Sequence, residues 1–344
     1  MDIVKIENGG IVRITDNGII DVEKGLPEIP QGRVFSLMGW GTPDQLKDLC
    51  VGAKGTDTPQ MWLCGGKGEL PPVYQRFMVD GVDEPRLIKR NGCTVGMCYE
   101  DAHAEYCLLT GILPPDLTVS REAQTTAVFE CVEDALKDAD MTFDDLARTW
   151  LYMDDILDWY DSFNRARDAF FRSRKVYDGL VPASTGIGAA NIYGAAFTAC
   201  AIAVKPKDDS TYVIPVTSPL QCAALEYGSS FSRAVEIGSP DYRSLLVSGS
   251  ASIEPGGDTA FVGDVEKQIQ LTMDVVEGIL KSRDMDWSDT TRAIMYLKKP
   301  EYLDIQKEWL KKNNLENLPL INIVADVCRE DLLVELELDA MKRT

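Results

Sequence analysis

A chain that repeats its own sequence is constrained to fold in repeated units, and this chain repeats. Shifted by 144 residues, Gln124, Val132, Glu133, Leu136, Lys137, Asp140, Met141, Asp145, Arg148 and Tyr152 fall on Gln268, Val276, Glu277, Leu280, Lys281, Asp284, Met285, Asp289, Arg292 and Tyr296. These are ten identities in 29 ungapped positions, where average composition predicts about two. The 344 residues are therefore expected to hold two copies of one unit.

The unit reads most clearly in the second copy. Ser244 to Ile253 alternates as a strand, and Gly263-Asp264 places a capping residue before a helical pattern over Val265 to Lys281. A strand at Thr291 to Leu297, a helix at Tyr302 to Lys312, and strands at Leu318 to Val327 and Leu332 to Leu338 follow. The first copy repeats the order with helices at Ala123 to Lys137 and Asp158 to Phe171 and strands at Thr149 to Met153 and Ala196 to Val204. The order βαβαββ predicts an α+β unit, a mixed sheet with helices on one face. The expected division is an N-terminal extension over 1–70, a first unit over 71–204, a charged, Pro-containing linker over 205–218, and a second unit over 219–344.

Charge narrows function. With 35 Lys+Arg against 55 Asp+Glu the net charge is −20, which argues against nucleic acid and anionic lipid as partners. The one histidine, His103, excludes His-pair metal sites, so neither metal nor cofactor is expected. The nine cysteines form no CxxC pair and read as core or free thiols. The N-terminus lacks a signal-peptide pattern and no apolar run reaches spanning length, which predicts a cytoplasmic protein.

Four strings together resemble a family. Ala147-Arg-Thr-Trp-Leu-Tyr, Pro182-Ala-Ser-Thr-Gly-Ile-Gly-Ala, Tyr227-Gly-Ser-Ser-Phe-Ser-Arg-Ala and Arg329-Glu-Asp-Leu-Leu-Val-Glu are similar to the chorismatases. These are tandem proteins of the Rid (reactive-intermediate deaminase, YjgF-type) superfamily that hydrolyse chorismate. The resemblance implies two tandem Rid-like (chorismate-mutase-like) units and a trimer-like packing of units, within or between chains. Simple Rid deaminases bind the substrate carboxylate with an arginine and carry a strand glutamate. The aligned positions hold Ser184 and Thr198 in the first copy, Asn322 and Glu335 in the second. The first copy is therefore degenerate, and the second keeps the glutamate alone.

Glu335 matches the catalytic acid of chorismatases. Protonating the terminal methylene of an enol ether makes an oxocarbenium ion, and attack on that ion releases pyruvate. The acid must keep its proton near neutral pH, which requires an apolar, partly buried site. Cys328 and Gly249 resemble the subtype positions of chorismatases that make 3-hydroxybenzoate. A small dianionic ligand calls for cations, and Arg148, Arg233 and Lys298 are the candidates. For Arg148 a salt bridge of the fold is an equal reading, since Arg292 shares its repeat position. Tyr152, Tyr193 and Tyr227 could supply phenol hydrogen bonds or plain packing. A Rid-type imine or enamine deaminase and a non-catalytic metabolite-binding protein are the competing readings.

Overall fold

The architecture is that of a computed structural model describing residues 2–8, 11–29, 31–52, 57–65, 70–82 and 84–344. The first sheet takes β1 (Asp2–Asn8), β2 (Ile11–Ile19), β3 (Arg33–Gly41), β4 (Gln60–Cys64) and β5 (Val73–Asp80), with helix α1 (Pro43–Gly52) crossing from β3 to β4. The second takes β6 (Arg86–Arg90), β7 (Cys93–Glu100), β8 (Ala104–Ile112), β9 (Leu146–Met153), β10 (Ala183–Gly188) and, beyond the two-residue β11 (Ala190–Asn191), β12 (Phe197–Pro206). Its helices are α2 (Arg121–Asp138) and α3 (Ile156–Ser173). The third sheet holds β13 (Tyr212–Val216), β14 (Ala234–Gly238), β15 (Tyr242–Ala251), β16 (Thr290–Leu297), β17 (Leu320–Val324) and β18 (Val334–Arg343), with α4 (Val265–Ser282) and α5 (Tyr302–Lys312).

The repeat governs local structure residue for residue. Helix α4 lies 144 positions after α2 at both ends, and β16 lies 144 after β9. Helices α2 and α4 both open on a side-chain cap, Ser120 accepting from the Ala123 amide and Asp264 from the Lys267 amide. Each is followed by a short 3-10 turn held by a capping box, Thr142 with Asp145 and Asp286 with Asp289. Gln124 and Gln268 bridge the same elements. Their amide oxygens accept from the Ala196 and Leu333 backbone, and their amide nitrogens donate to Leu117 and Phe261 carbonyls among others.

Strand order shows the same unit. The second sheet runs β10-β9-β12-β8-β7-β6, and the third, read in the same sense, β17-β16-β18-β15-β14-β13. In both, one parallel pair joined through a helix edges an otherwise antiparallel sheet. Helices cover one face of each, over separate apolar cores centred on Phe129, Phe163 and Phe197 and on Ile269, Val276 and Leu336. The expected α+β class, with helices on one face, holds.

Residues 1–70 fall outside the sequence repeat, yet their strands and β5 make a sheet ordered β4-β3-β5-β2-β1, with the two-residue β11 added beside β4. This is the same arrangement without the long first helix. The strand that completes it lies beyond residue 70. The other strand the composition concealed is β13, inside the stretch read as a linker. Pro215 is tolerated there because β13 is an edge strand. Trp40, Trp150 and Ile294, one from each sheet, meet in one buried cluster with Tyr152 and Tyr296. The helix-free faces of the three sheets therefore converge, and one chain carries a three-unit, trimer-like core. Among the described residues no helix is long and apolar enough to cross a membrane.

Candidate active site

The site forms where β10, the edge of the second sheet, meets β15 of the third. The Ser184 amide donates to Ser248 Oγ at 2.8 Å, and the Gly249 amide donates to Thr185 Oγ1 at 3.0 Å. Strand β15 bulges here: Ser248 and Gly249 interrupt its pairing with β18 between Val247 and Ser250. A bulge re-aims the chain locally, and this one turns the Gly249 backbone toward the second residue of β18, Glu335.

Glu335 is buried and pairs in register with Ala251 and Tyr296. A Cβ on Gly249 would come within 1.9 Å of Glu335 Oε1, so the carboxyl occupies the space that the missing side chain vacates. Burial, and after it the charge of Glu337, pushes the Glu335 carboxyl up to about 8, against the opposing pull of Arg148. At neutral pH it holds its proton, the state an acid catalyst needs.

A cleft opens around Glu335, lined from both units. The third sheet's unit supplies Tyr227, Phe231, Arg233, Gly249, Cys328 and Arg329; the second's supplies Tyr160, Arg167, Ser184 and Gly186. Arg233 donates through Nε and Nη2 to the Cys222 carbonyl at 3.0 and 2.9 Å, lying over the Tyr227 and Phe231 rings. Arg167 donates to Asn164 Oδ1 at 2.8 Å, and its buried Nε has no partner. Arg329 donates to the Gly257 carbonyl at 2.7 Å. Among the described residues, no ion pair involves Arg167, Arg233 or Arg329. Three guanidiniums without carboxylate partners thus face a neutral acid, a local cationic pocket in a chain of net charge −20. Burial and the nearby Glu335 push the Cys328 thiol up to about 12, so it stays protonated.

The structure brings together Glu335, Cys328, Gly249, Tyr227 and Arg233 and places the other sequence candidates elsewhere. Arg148 is wholly buried, paired with Glu337 Oε2 at 2.8 Å and donating to Thr185 Oγ1 at 2.6 Å. Arg292, its repeat partner, binds Glu337 Oε1 from the other side. The salt-bridge reading of Arg148 is the one its geometry supports, although through Thr185 it steadies the Gly249 backbone. Tyr152 is buried in the three-sheet cluster, its hydroxyl 3.4 Å from that of Tyr296. Lys298 pairs with Glu330 at 2.7 Å, and Tyr193 lies half exposed in the turn after β11; neither lines the cleft.

Register also revises the alignment of copies. Ser184 pairs with Thr149, and Leu320 with Ala293, the repeat partner of Thr149. The counterpart of Asn322 is therefore Gly186, while Thr198 does correspond to Glu335, opposite Tyr152 and Tyr296 respectively. Sequence reasoning passed over Arg167 and Tyr160. Tyr160, Phe163 and Arg167 recur at helical spacing on one face of α3, and an arginine on that apolar stripe was the available signal.

No protein-family model matches the chain. A 3-hydroxybenzoate synthase of Streptomyces hygroscopicus is 27% identical over 263 residues, covering 68% of this chain and 73% of that protein. A chorismatase of the same organism is 26% identical over 215 residues, covering 56% of this chain and 60% of that one. The crystal structure of a chorismatase aligns over 95% of this chain and 98% of its own, with a TM-score of 0.71 and 19% identity. The chain is chorismatase-like, in sequence over about two thirds of its length and in fold over 95% of it.

Proposed function

We propose that the cleft splits chorismate, releasing pyruvate and 3-hydroxybenzoate, with Glu335 as the general acid. The observation that carries this reading is a buried carboxyl in a cleft lined by three guanidiniums without ion-pair partners among the described residues. A dianion is drawn in by Arg167, Arg233 and Arg329, and the one acid near it is able to give up a proton. The Glu335 O–H bond breaks and a C–H bond forms at the enol-ether methylene, leaving an oxocarbenium ion at the adjacent carbon. The ring C–O bond then breaks, its electron pair staying on the oxygen as the pyruvate carbonyl. The neighbouring ring hydroxyl closes on the ring carbon so exposed and its proton returns to Glu335. Reopening of that oxirane, with a ring proton passing to the oxygen, gives 3-hydroxybenzoate. Pyruvic and 3-hydroxybenzoic acids together have the composition of chorismic acid, so the overall division consumes no net water. The Glu335 carboxylate formed after transfer is favoured by the buried Arg148 guanidinium, the cation that acts on it. Cys328, as a neutral thiol, does not act as a nucleophile; it shapes the wall around the reacting ring, and so the ring product. The names of the two Streptomyces relatives support the same substrate and product.

The test is incubation with chorismate, pyruvate being measured enzymatically and the ring product by chromatography. Both products are expected. Absence of pyruvate from the folded protein removes chorismate as substrate, and an undiminished rate in Glu335→Gln removes the mechanism.

A further inference from the structure

Two thiols outside the cleft meet on the helix-covered face of the second sheet. Arg86 on β6, Cys98 on β7 and Cys107 on β8 stand in one cross-strand row, Arg86 in register with Cys98 and Cys98 in register with Cys107. Residues directly opposite on neighbouring strands share a face of the sheet. Strands β7 and β8 are joined by a two-residue hairpin turn, closed by the Asp101 amide donating to the Ala104 carbonyl at 3.0 Å. Along an antiparallel ladder, pairs that exchange backbone hydrogen bonds alternate with pairs that do not. Counted back from Asp101 and Ala104 through an unbroken register, Cys98 and Cys107 are a pair of the second kind. Such pairs hold their Cα atoms about 4.5 Å apart, and a disulfide spans Cα separations of roughly 4.4 to 6.8 Å.

The two sulfurs differ in access. Cys107 is buried in the core around Phe129. Cys98 is half-buried and lines an open surface hollow with Pro85, Arg86 and Met141; Arg86 also pairs with Asp140 at 2.7 Å. The thiols are hydrogen-bonded to each other. That bond lowers the Cys98 thiol from its ordinary value and raises Cys107; burial opposes the first shift and the Arg86 charge reinforces it. An accessible thiol of thiolate character beside a resolving cysteine is the arrangement that peroxides oxidise reversibly. We infer that Cys98 and Cys107 are an oxidation site, at which hydrogen peroxide closes a cross-strand disulfide. The Cys98 thiolate attacks one peroxide oxygen and the O–O bond breaks. The hydroxide released takes up the proton that Cys98 gave up, leaving water and a sulfenic acid. The Cys107 sulfur then attacks the Cys98 sulfur, the S–O bond breaks, and a second water carries off the Cys107 proton. Two thiols lose two electrons, and one peroxide becomes two waters. The site does not depend on what the Glu335 cleft does to its own ligand.

The test treats the folded, reduced wild-type chain with hydrogen peroxide, caps the remaining thiols with N-ethylmaleimide during unfolding, and maps the peptides by mass spectrometry. Tryptic peptide 91–121 carries Cys93, Cys98 and Cys107. It is expected to lose two hydrogens and to take one maleimide, on Cys93. Cleavage after Tyr99 and Tyr106 should leave its parts joined until dithiothreitol is added. Maleimide on both Cys98 and Cys107, or a bond from either to another cysteine, overturns the inference. In Cys107→Ser, dimedone should trap on Cys98 the sulfenic acid that the wild type loses to the disulfide, while in Cys98→Ser the Cys107 thiol should stay reduced. A dimedone adduct on Cys107 and none on Cys98 overturns the order of attack.

Discussion

The strand position that holds Glu335 in the third sheet holds Thr198 in the second, and the strand pairing around the two is alike. Thr110-Gly111 bulges opposite Cys200 as Ser248-Gly249 bulges opposite Glu337. What differs is the neighbour across the bulge. At Gly111 it is β4 of the first sheet, whose Gln60 carbonyl would lie 2.8 Å from an added Cβ. Met61 fills the space beside Thr198, which donates to the Ile112 carbonyl at 2.9 Å. At Gly249 the neighbour is β10, which leaves the cleft open. Among the described residues, the mouth between the first and third sheets, lined by Trp40, Val73, Asn322 and Ile323 among others, carries no charged residue. What stands beside the bulge thus depends on which neighbour closes it.

The largest expected effect is Glu335→Thr, which copies the second sheet's residue into the third. Turnover of chorismate should fall at least about 10³-fold, near the upper range of a general acid's contribution. A thiol or tyrosine that rescued the rate would show that the cleft has another acid.

Glycine substitutions at the two bulges should separate the neighbourhoods. Gly249→Ala pushes its Cβ into the Glu335 carboxyl, and kcat is expected to fall about 10²-fold with little change in melting temperature. Gly111→Ala meets backbone instead, at a φ of +67°. It should lower stability by roughly 1–3 kcal/mol and leave kcat of the folded protein near wild type. Kinetics and thermal melts on the pair would break the comparison if the effects were exchanged.

Cations come next. Arg167→Ala should raise KM about tenfold, or more if the guanidinium meets a carboxylate directly. Removing Arg148 should instead destabilise the fold, because Glu337 would remain buried with one guanidinium fewer.

The raised Glu335 pKa carries two pH signatures of definite sign. Catalysis needs the protonated form, so kcat should decline about tenfold per pH unit above about 8. In the folded state the carboxyl holds its proton more tightly than in the unfolded chain. Its stabilising contribution is complete below the ordinary carboxylate pKa and is lost as pH rises to about 8. Glu335→Gln should therefore be more stable than wild type by roughly 3 kcal/mol near pH 7, with no advantage below the ordinary carboxylate range. Denaturant melts at several pH values measure the difference; a gap constant across pH would place the shift elsewhere.

The smallest effect on rate is expected at Cys328. Cys328→Ala should keep pyruvate release within about twofold, since the neutral thiol takes no part in the proton transfer, while the ring product changes. Chromatography of the products decides, and an unchanged product ratio would leave the thiol with packing alone.

Local chemistry was legible from residues 121–153 and 265–297 because caps, apolar spacing and turn residues act over a few positions and were duplicated together. That is why α2, α4, β9 and β16 could be placed by a fixed offset, whereas Glu335 stood out through the resemblance of its strand to the chorismatases. The first sheet was not legible, because it lacks the long helix and its residues no longer match the repeat; only strand pairing shows the kinship. Nor could sequence decide between the two readings of Arg148. Whether a guanidinium binds a ligand or Glu337 depends on which residue 189 positions away meets it. Arg167, Arg233 and Arg329 lie far apart in the chain and converge only when β10 docks on β15. The sequence by itself determined the unit and its periodicity. The tertiary structure decided which of three equivalent clefts stays open, because that choice rests on contacts between units, which no local pattern encodes.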